Sequence, residues 1–284
     1  MFDTNPNLVQ EYHPPKGASP WSKEPTPLIL IHDGGGTIFS YYCLGDLGRA
    51  VYGISNPHFQ SGKAWEGGIP EMARQYIKFI KKAVPKGNVI IGGWSLGGLI
   101  SLEVARQLAE EKGSGLNLLG IVMIDSVCPV VLTEPALPVV QHAVQWGEHT
   151  KHETKERVTR CFEHATKMVR DWTLPTWGDE EAQDKEGKNG FHGSVRSPKG
   201  RPPPVVLLRA MDRVPVSKEG VSRVDIHRED QLLGWGNYRK DLITKVMDIP
   251  GHHFNIFHTD ESLETTTEGI KMACSELETL NSLQ

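Results

Sequence analysis

One serine in the chain lies where a nucleophile would be expected, between glycines at the end of an apolar run. It is Ser95, in the stretch "VIIGGWSLGGLI" that spans residues 89–100. Gly93 and Gly97 complete a G-x-S-x-G pattern, which is typical of a sharp strand-to-helix turn that exposes the serine oxygen. Glycines suit such a turn because a neighbouring Cβ would clash there. A small residue in a crowded turn is the alternative interpretation, so a base and an acid are needed elsewhere in the sequence.

A serine nucleophile needs a histidine base, and two of the twelve histidines stand out by their position. His252 and His253 are neighbours in "IPGHHFNIF", residues 249–257, after the last predicted strand. A loop late in the chain is where enzymes of the α/β-hydrolase fold carry the base, and the order serine, acid, histidine agrees with that fold. The residues alone favour this loop and leave His252 as the alternative to His253.

Two aspartates compete to be the acid that orients the imidazole. Asp125 ends the apolar run in "IVMIDSVCP", and Asp212 follows the next run in "LLRAMDRVP". The carboxyl ends of parallel strands meet at one edge of a sheet, so both positions fit a catalytic role. Spacing does not separate them.

A glycine-rich stretch supplies the remaining element, an oxyanion hole. "HDGGGT", residues 32–37, leaves the first apolar run, and its glycines let backbone N–H groups approach a developing oxyanion. We expect one donor near Gly34 or Gly35 and the other from the N–H of Leu96. Trp94, beside the serine, is a candidate for lining a substrate pocket, although a packing aromatic fits equally well.

The elements that must position these residues alternate along the chain. Strands are predicted at 28–31, 51–55, 89–92, 118–124, 205–209 and 245–249, and helices at 70–84, 99–113 and 261–280. Strands so apolar on both faces, alternating with helices, predict an α/β fold with a mostly parallel central sheet flanked by helices.

Two segments depart from this alternation. About 80 residues separate the runs that end at Ile124 and begin at Val205, which is too long for a simple connection. We predict a lid insertion at about 130–204, helical in its first part to about 175 and mobile over 178–204, against the alternative of a solvated insertion with no role in binding. Residues 1–27 are rich in proline and polar residues and predict an N-terminal arm or linker before a domain over 28–284.

Composition excludes several classes of partner and cofactor. The 284 residues carry a formal charge of −4, and no basic cluster suggests nucleic acid. No apolar run approaches the roughly 20 residues of a membrane helix. The first 27 residues contain no apolar h-region, so no signal peptide is expected. The four cysteines have no metal-binding or disulfide-framework spacing, which favours reduced thiols and a cytoplasmic protein. No metal is expected, and no cofactor, since the glycines lack the dinucleotide-binding spacing.

Five stretches together resemble a known family. They are "PLILIHDGGGTIFSYY", "YGISNPHF", "GGWSLGGLISLEVARQL", "IVMIDSVCP" and "GHHF". They are similar to the thioesterase domains of fungal polyketide synthases and nonribosomal-peptide-like synthetases, and to the free-standing thiohydrolases encoded beside such synthases, all of the α/β-hydrolase superfamily. The resemblance covers about residues 27–257 and is weakest through the predicted lid. It implies that Asp125 is the acid and His253 the base.

The resemblance also implies a substrate and a partner. In this family an acyl chain is carried on the phosphopantetheine of an acyl carrier protein and leaves by hydrolysis or by intramolecular lactonisation, through an acyl-serine that would form here on Ser95. No carrier-protein motif precedes the domain, so we expect the chain to act in trans or to be an excised domain. Two alternatives are a general carboxylesterase or lipase, and an α/β-hydrolase scaffold that binds without catalysis.

Overall fold

A computed structural model describes most of the chain. The described residues are 5–17, 19, 23–111, 113–131, 137–140, 146, 149–178, 200–216 and 219–283.

A seven-stranded sheet forms the centre of the molecule, in the order β1-β3-β2-β4-β5-β7-β9. Its strands are β1 (Asn7–Gln10), β2 (Leu28–Ile31), β3 (Val51–Ile54), β4 (Gly87–Trp94), β5 (Leu116–Ile124), β7 (Val205–Asp212) and β9 (Ile243–His252). All neighbours pair in parallel except β1 with β3. The sequence prediction of a mostly parallel sheet flanked by helices is confirmed.

The strands separate two apolar cores because their side chains alternate between the two faces of the sheet. In β2, Ile29 and Ile31 belong to one core and Leu28 and Leu30 to the other, and none of the four is exposed. A strand buried on both faces has no polar positions, which explains the uninterrupted run "LILI".

Helices cover both faces. They are α1 (Gly68–Ala83), α2 (Leu96–Glu110), α3 (His152–Asp171), α4 (Trp235–Tyr238) and α5 (Asp260–Ser282). The buried faces of α1 and α2 pack into the core that holds Ile29 and Ile31, and α5 packs into the other core through Ile270 and Leu277. Each long predicted helix is present, and α2 begins three residues earlier than predicted, directly after Ser95. The sequence pattern did not predict that first turn, because it contains Gly97 and Gly98 and glycine disfavours helix interiors.

The N-terminal segment differs from the prediction. Residues 1–27 were expected to be an arm or linker, but Asn7–Gln10 form the edge strand β1, antiparallel to β3. The stretch "NLVQ" is too short and too polar to show a strand pattern, and it is ordered by pairing with β3. The Gln10 side chain also fixes β1 to the segment before β3, since it accepts from the N–H of Leu47 at 2.9 Å and donates to the carbonyl of Gly45 at 2.9 Å.

The predicted insertion is partly described. Its charged segment forms α3, as the pattern of residues 151–172 predicts. Val139–Val140 form β6, which pairs in parallel with β8 (Val221–Ser222) in a separate two-stranded sheet. Most of the stretch predicted to be mobile, residues 179–199, lies outside the described residues.

Candidate active site

Ser95 occupies a sharp turn between β4 and α2. Its φ of 56° and ψ of −115° are unusual for a residue with a side chain. The flanking glycines are required by space: a Cβ on Gly93 would lie 2.4 Å from the carbonyl oxygen of Ile31, and a Cβ on Gly97 would lie 2.3 Å from the same oxygen. The turn therefore sits against the end of β2, and backbone leaves no room for side chains at either position.

The structure brings Ser95, His253 and Asp125 together. His253 Nε2 lies 3.0 Å from Ser95 Oγ, and His253 Nδ1 lies 2.7 Å from Asp125 Oδ2. With Nδ1 carrying the proton that Asp125 accepts, Nε2 is free to accept the serine proton. This is the geometry of a nucleophile, a base and an orienting acid.

The two alternatives from the sequence lie elsewhere. His252 ends β9, where its N–H donates to Asn255 Oδ1 at 2.6 Å and its Nδ1 accepts from the Phe254 N–H at 3.2 Å. Asp212 ends β7 with an exposed side chain. Of the two candidate aspartates and the two candidate histidines, the structure joins Asp125 to His253.

Asp125 is fully buried and has partners besides His253. The Ala210 N–H donates to its Oδ1 at 2.9 Å, and Arg228 donates to both carboxylate oxygens, at 2.7 and 2.9 Å. Burial by itself raises the pKa of the Asp125 carboxyl, but the hydrogen bonds from His253 and Arg228 outweigh it and hold this pKa at about 2. Sequence reasoning missed Arg228, because it lies 103 residues away in a polar segment.

The glycine loop, residues 32–37, folds on itself through Asp33. The Asp33 carbonyl accepts from the Gly36 N–H at 3.1 Å, and the Asp33 carboxylate accepts from the Gly35 N–H at 3.1 Å. Gly34 lines the cavity next to Ser95, together with Leu96 at the first turn of α2. The Gly35 N–H, by contrast, donates to the Asp33 carboxylate, so of the two predicted glycines Gly34 is the one that faces the site.

Asp33 itself faces the same cavity. Burial raises the pKa of its carboxyl to about 6, although the N–H groups of Gly35 and Thr37 and the nearby His253 act in the opposite direction. A carboxyl group that titrates in this range beside a nucleophile was not among the sequence candidates. The chemistry of the "HDGGGT" stretch therefore includes a titratable group as well as backbone donors.

Two buried side chains fix the strand end from which this loop departs. His32 Nδ1 lies 2.6 Å from the Asp33 carbonyl oxygen, and its Nε2 lies 2.7 Å from the Tyr76 hydroxyl. Burial lowers the pKa of His32 to about 4, so the ring is neutral, donating from Nδ1 and accepting at Nε2.

The Tyr41 hydroxyl donates to the Ile31 carbonyl at 2.6 Å and accepts from the Trp94 N–H at 2.9 Å. Tyr41 thereby ties β2 to the end of β4.

Trp94 packs beside His253. Its ring lies 5.5 Å from the His253 ring and 5.1 Å from the Phe257 ring, centroid to centroid. It also lines the cavity, so the structure places it both in the packing and at the pocket wall.

A cavity of about 850 Å³ opens over Ser95 and His253. Most of its wall is apolar, and it includes residues of α3, of the segments after β5 and around β6, and of the loop after β9. The apolar side chains include Val127, Val130, Val139, Val140, Trp146, Phe162, Val169, Trp172, Leu174, Ile226 and Phe254. A cavity of this size and character accommodates a substantial apolar ligand with its reacting end at the serine.

Helix α3 forms the wall nearest the glycine loop. A Cβ on Gly34 would lie 2.9 Å from Phe162 Cδ1, and one on Gly36 would lie 3.0 Å from Cys161 Sγ. The C-terminal end of the helix is joined to α2, since Trp172 Nε1 donates to the buried Glu103 carboxylate at 3.4 Å. The insertion thus contacts both the glycine loop and the helix that begins at Ser95.

A membrane-spanning helix is not found in the described part of the chain, where every helix is too short or too polar. Over the same residues, no group of three or more His, Cys, Asp or Glu side chains is arranged to hold a metal ion.

Comparison with known proteins identifies the family to which this arrangement belongs. The family model of the thioesterase domain matches residues 26–184. The chain belongs to the thioesterase family. The resemblance noted from its motifs is thereby confirmed.

Curated fungal thioesterases match over almost their full length. The probable thioesterase gloN of Glarea lozoyensis is 35% identical, with 97% of this chain and 99% of the relative covered. The thioesterase frbE of a Dothideomycetidae species is 37% identical, with 96% of each covered. Among solved structures, the NocB thioesterase domain from the nocardicin cluster covers 88% of this chain and 94% of its own, at a TM-score of 0.57 and 22% identity. That likeness shows that the thioesterase shares its fold.

Proposed function

We propose that this thioesterase works through an acyl-serine on Ser95 and releases an acyl chain from the phosphopantetheine thioester of an acyl carrier protein in secondary metabolism. The observation that carries the proposal is the unbroken line from Ser95 Oγ through His253 to Asp125, at 3.0 and 2.7 Å. Ser95 and His253 line an apolar cavity of about 850 Å³, and a cavity of this size suits an acyl chain.

In the first step Ser95 Oγ attacks the thioester carbonyl while His253 Nε2 takes its proton. Asp125 accepts from Nδ1–H throughout and stabilises the imidazolium as it forms. The tetrahedral intermediate collapses, and the thiol leaves with the proton that His253 returns. The product of this half-reaction is an ester between the acyl chain and Ser95.

Backbone N–H groups would stabilise the oxyanion of that intermediate. Leu96 supplies one, at the positive end of the α2 dipole, and Gly34 supplies the other from the glycine loop. Gly34 is favoured over Gly35 because the Gly35 N–H already donates to Asp33.

In the second step a hydroxyl group attacks the Ser95 ester. Water gives a free acid, and a hydroxyl on the acyl chain itself gives a lactone. His253 acts as the base in both cases. The apolar wall formed by α3 serves as the lid that encloses the chain, and Trp94 with Phe254 lines the cavity beside the base.

The test is a panel of acyl-N-acetylcysteamine thioesters, including hydroxyacyl ones, set against oxygen esters of the same acyl groups. We expect higher kcat/KM for the thioesters and loss of turnover in Ser95→Ala. Product analysis then assigns hydrolysis or lactonisation. Equal or faster turnover of the oxygen esters would favour a general carboxylesterase instead. A Ser95→Ala variant with wild-type turnover would refute the acyl-serine mechanism.

A further inference from the structure

The aspartate beside His253 is held by a buried cation. Arg228 donates through Nη1 and Nη2 to the two oxygens of Asp125, at 2.7 and 2.9 Å. The Arg228 side chain is 3% exposed and that of Asp125 is not exposed at all. Arg228 also donates to the carbonyls of Ala210 and Val224, at 2.7 and 3.0 Å, so these four contacts fix its guanidinium to three segments of the chain.

A second buried carboxylate lies on the other side of this cation. Arg228 Nε donates to Asp225 Oδ1 at 3.0 Å, and Asp225 Oδ2 accepts from the Val214 N–H at 2.7 Å. The cluster of Asp125, Arg228 and Asp225 therefore contains two negative charges and one positive charge. Beside a neutral His253 it has a net charge of −1, and beside a protonated His253 it is balanced.

This charge balance bears on the base. The attraction between a buried imidazolium and its surroundings depends on the net charge of the whole cluster. If Arg228 were paired with Asp125 alone, its positive charge would cancel the negative charge with which Asp125 stabilises protonated His253. We propose that Arg228 and Asp225 are positioning residues for the Ser95 reaction: Arg228 holds the Asp125 carboxylate towards His253, and Asp225 restores the negative charge that Arg228 removes. The inference rests on the proposed function, because its role is in proton transfer from Ser95 Oγ to His253 Nε2.

Other groups also face His253. Asp33 contributes negative charge from the glycine loop, and Ser95, Trp94 and Phe254 contribute uncharged contacts. Substitution at Arg228 or Asp225 replaces none of these groups, so the wild type and both variants share them, including the Asp33 carboxyl with its pKa of about 6.

The two positioning residues predict shifts of opposite sign. Arg228→Gln removes a positive charge near the imidazole, so His253 keeps its proton to higher pH. Asp225→Asn removes a negative charge, so His253 loses its proton at lower pH. We expect the first shift to be about 1 to 2 pH units and the second to be smaller, because Arg228 contacts Asp125 directly whereas Asp225 contacts Arg228. A purely structural role predicts lower stability in both variants but no opposed shifts.

The experiment is a pH titration of the His253 imidazole by proton NMR in the intact protein, with the signal assigned by its loss in His253→Gln. No substrate is needed, so a failure of the proposed thioester chemistry leaves this readout unaffected. Arg213→Gln is the matched control, because Arg213 lies in the loop after β7 but pairs with Glu229 at the surface. The titration curve of His253 in Arg213→Gln should coincide with that in the wild type.

Arg228→Lys separates charge from geometry. It keeps the positive charge but loses the two-pronged contact, so we expect a titration midpoint within about 0.3 pH units of the wild type and a kcat at least about tenfold lower, with KM little changed. Opposed shifts in Arg228→Gln and Asp225→Asn support the proposal. Shifts of the same sign, or no shift in either variant, overturn it. Should Arg228→Gln not fold, the downward shift in Asp225→Asn decides the question, and its absence overturns the proposal.

Discussion

A methyl group on Gly97 tests how closely the turn at Ser95 is packed against the end of β2. In Gly97→Ala the new Cβ would lie 2.3 Å from the Ile31 carbonyl oxygen and 2.9 Å from the His32 carbonyl oxygen. Both neighbours are backbone, and Ile31 is also fixed by the Tyr41 hydroxyl. To reach an ordinary contact distance, β2 and the first turn of α2 must separate by about 1 Å, since cores do not absorb such overlaps without backbone shifts.

The expected cost has two parts. Overpacking of this kind destabilises by about 1–3 kcal/mol, which lowers Tm by about 2–4 °C per kcal/mol for a domain of this size class. The same displacement moves Ser95 relative to the glycine loop and His253. A misplacement of about 1 Å at a reacting group costs about 100-fold in rate.

The assay is a thermal melt together with kcat for one acyl-N-acetylcysteamine thioester. The matched control is Gly236→Ala in α4, where the nearest atom to the new Cβ is Leu232 Cδ1 at an ordinary 3.4 Å. We expect the control to keep wild-type Tm and kcat. If Gly97→Ala keeps kcat within about threefold of the wild type and melts at the same temperature, the inferred close packing of the turn is wrong.

Three further predictions concern the acid, the glycine loop and the cavity wall. Asp125→Asn should lower kcat by about 10⁴-fold because the imidazole of His253 loses its orienting charge. Asp212→Asn, at an exposed carboxylate, should leave kcat/KM unchanged. Comparable losses in the two variants would contradict the assignment of Asp125 as the acid. Burial raises the pKa of Asp33 to about 6 from an ordinary 3.8, so the folded state disfavours its ionised form, and Asp33 lowers stability above pH 6 but not below pH 3.8. Asp33→Asn should therefore lessen the fall in Tm between pH 4 and pH 7, and parallel Tm–pH curves for variant and wild type would exclude that role. Phe162→Ala removes an aromatic wall next to Gly34 and should raise KM for long acyl chains more than for acetyl, which kinetics on a chain-length series would show; an equal change for every length would place Phe162 outside the acyl path.

Much of the framework could be predicted because buried parallel strands have a strong pattern. The all-apolar run "LILI" corresponds to β2 at both ends, and the apolar segments before Ser95 and Asp125 proved to be the neighbouring strands β4 and β5. Since parallel strands end at one edge, their order in the chain was enough to place a serine, an aspartate and a histidine near each other.

The choice between neighbouring candidates could not be made in this way. Asp125 follows β5 and Asp212 ends the neighbouring strand β7, so both lie at the same edge of the sheet and sequence position does not separate them. They differ in the local turn, because Asp125 has a positive φ of 45° and a buried side chain whereas Asp212 is exposed. One sequence does not specify such a turn, and the family resemblance supplied the choice that the geometry agrees with.

Arg228 illustrates a second kind of limit. Its surroundings, "VDIHRED", have the polarity of a solvated surface segment. The side chain is buried only because the segment packs against the ends of β5 and β7, where Asp125 and the Ala210 carbonyl accept its hydrogen bonds. A contact between residues 103 positions apart leaves no periodic signal in the sequence.

The central claim, an acyl-enzyme on Ser95, is tested most directly by trapping it. The wild-type protein is mixed with an acyl-N-acetylcysteamine thioester, quenched with acid within milliseconds to seconds, digested and examined by mass spectrometry. We predict that the peptide containing Ser95 gains the mass of the acyl group, that the gain disappears on longer incubation, and that Ser95→Ala shows neither adduct nor turnover. Turnover by the wild type without any adduct on that peptide, retained in Ser95→Ala, would contradict the account.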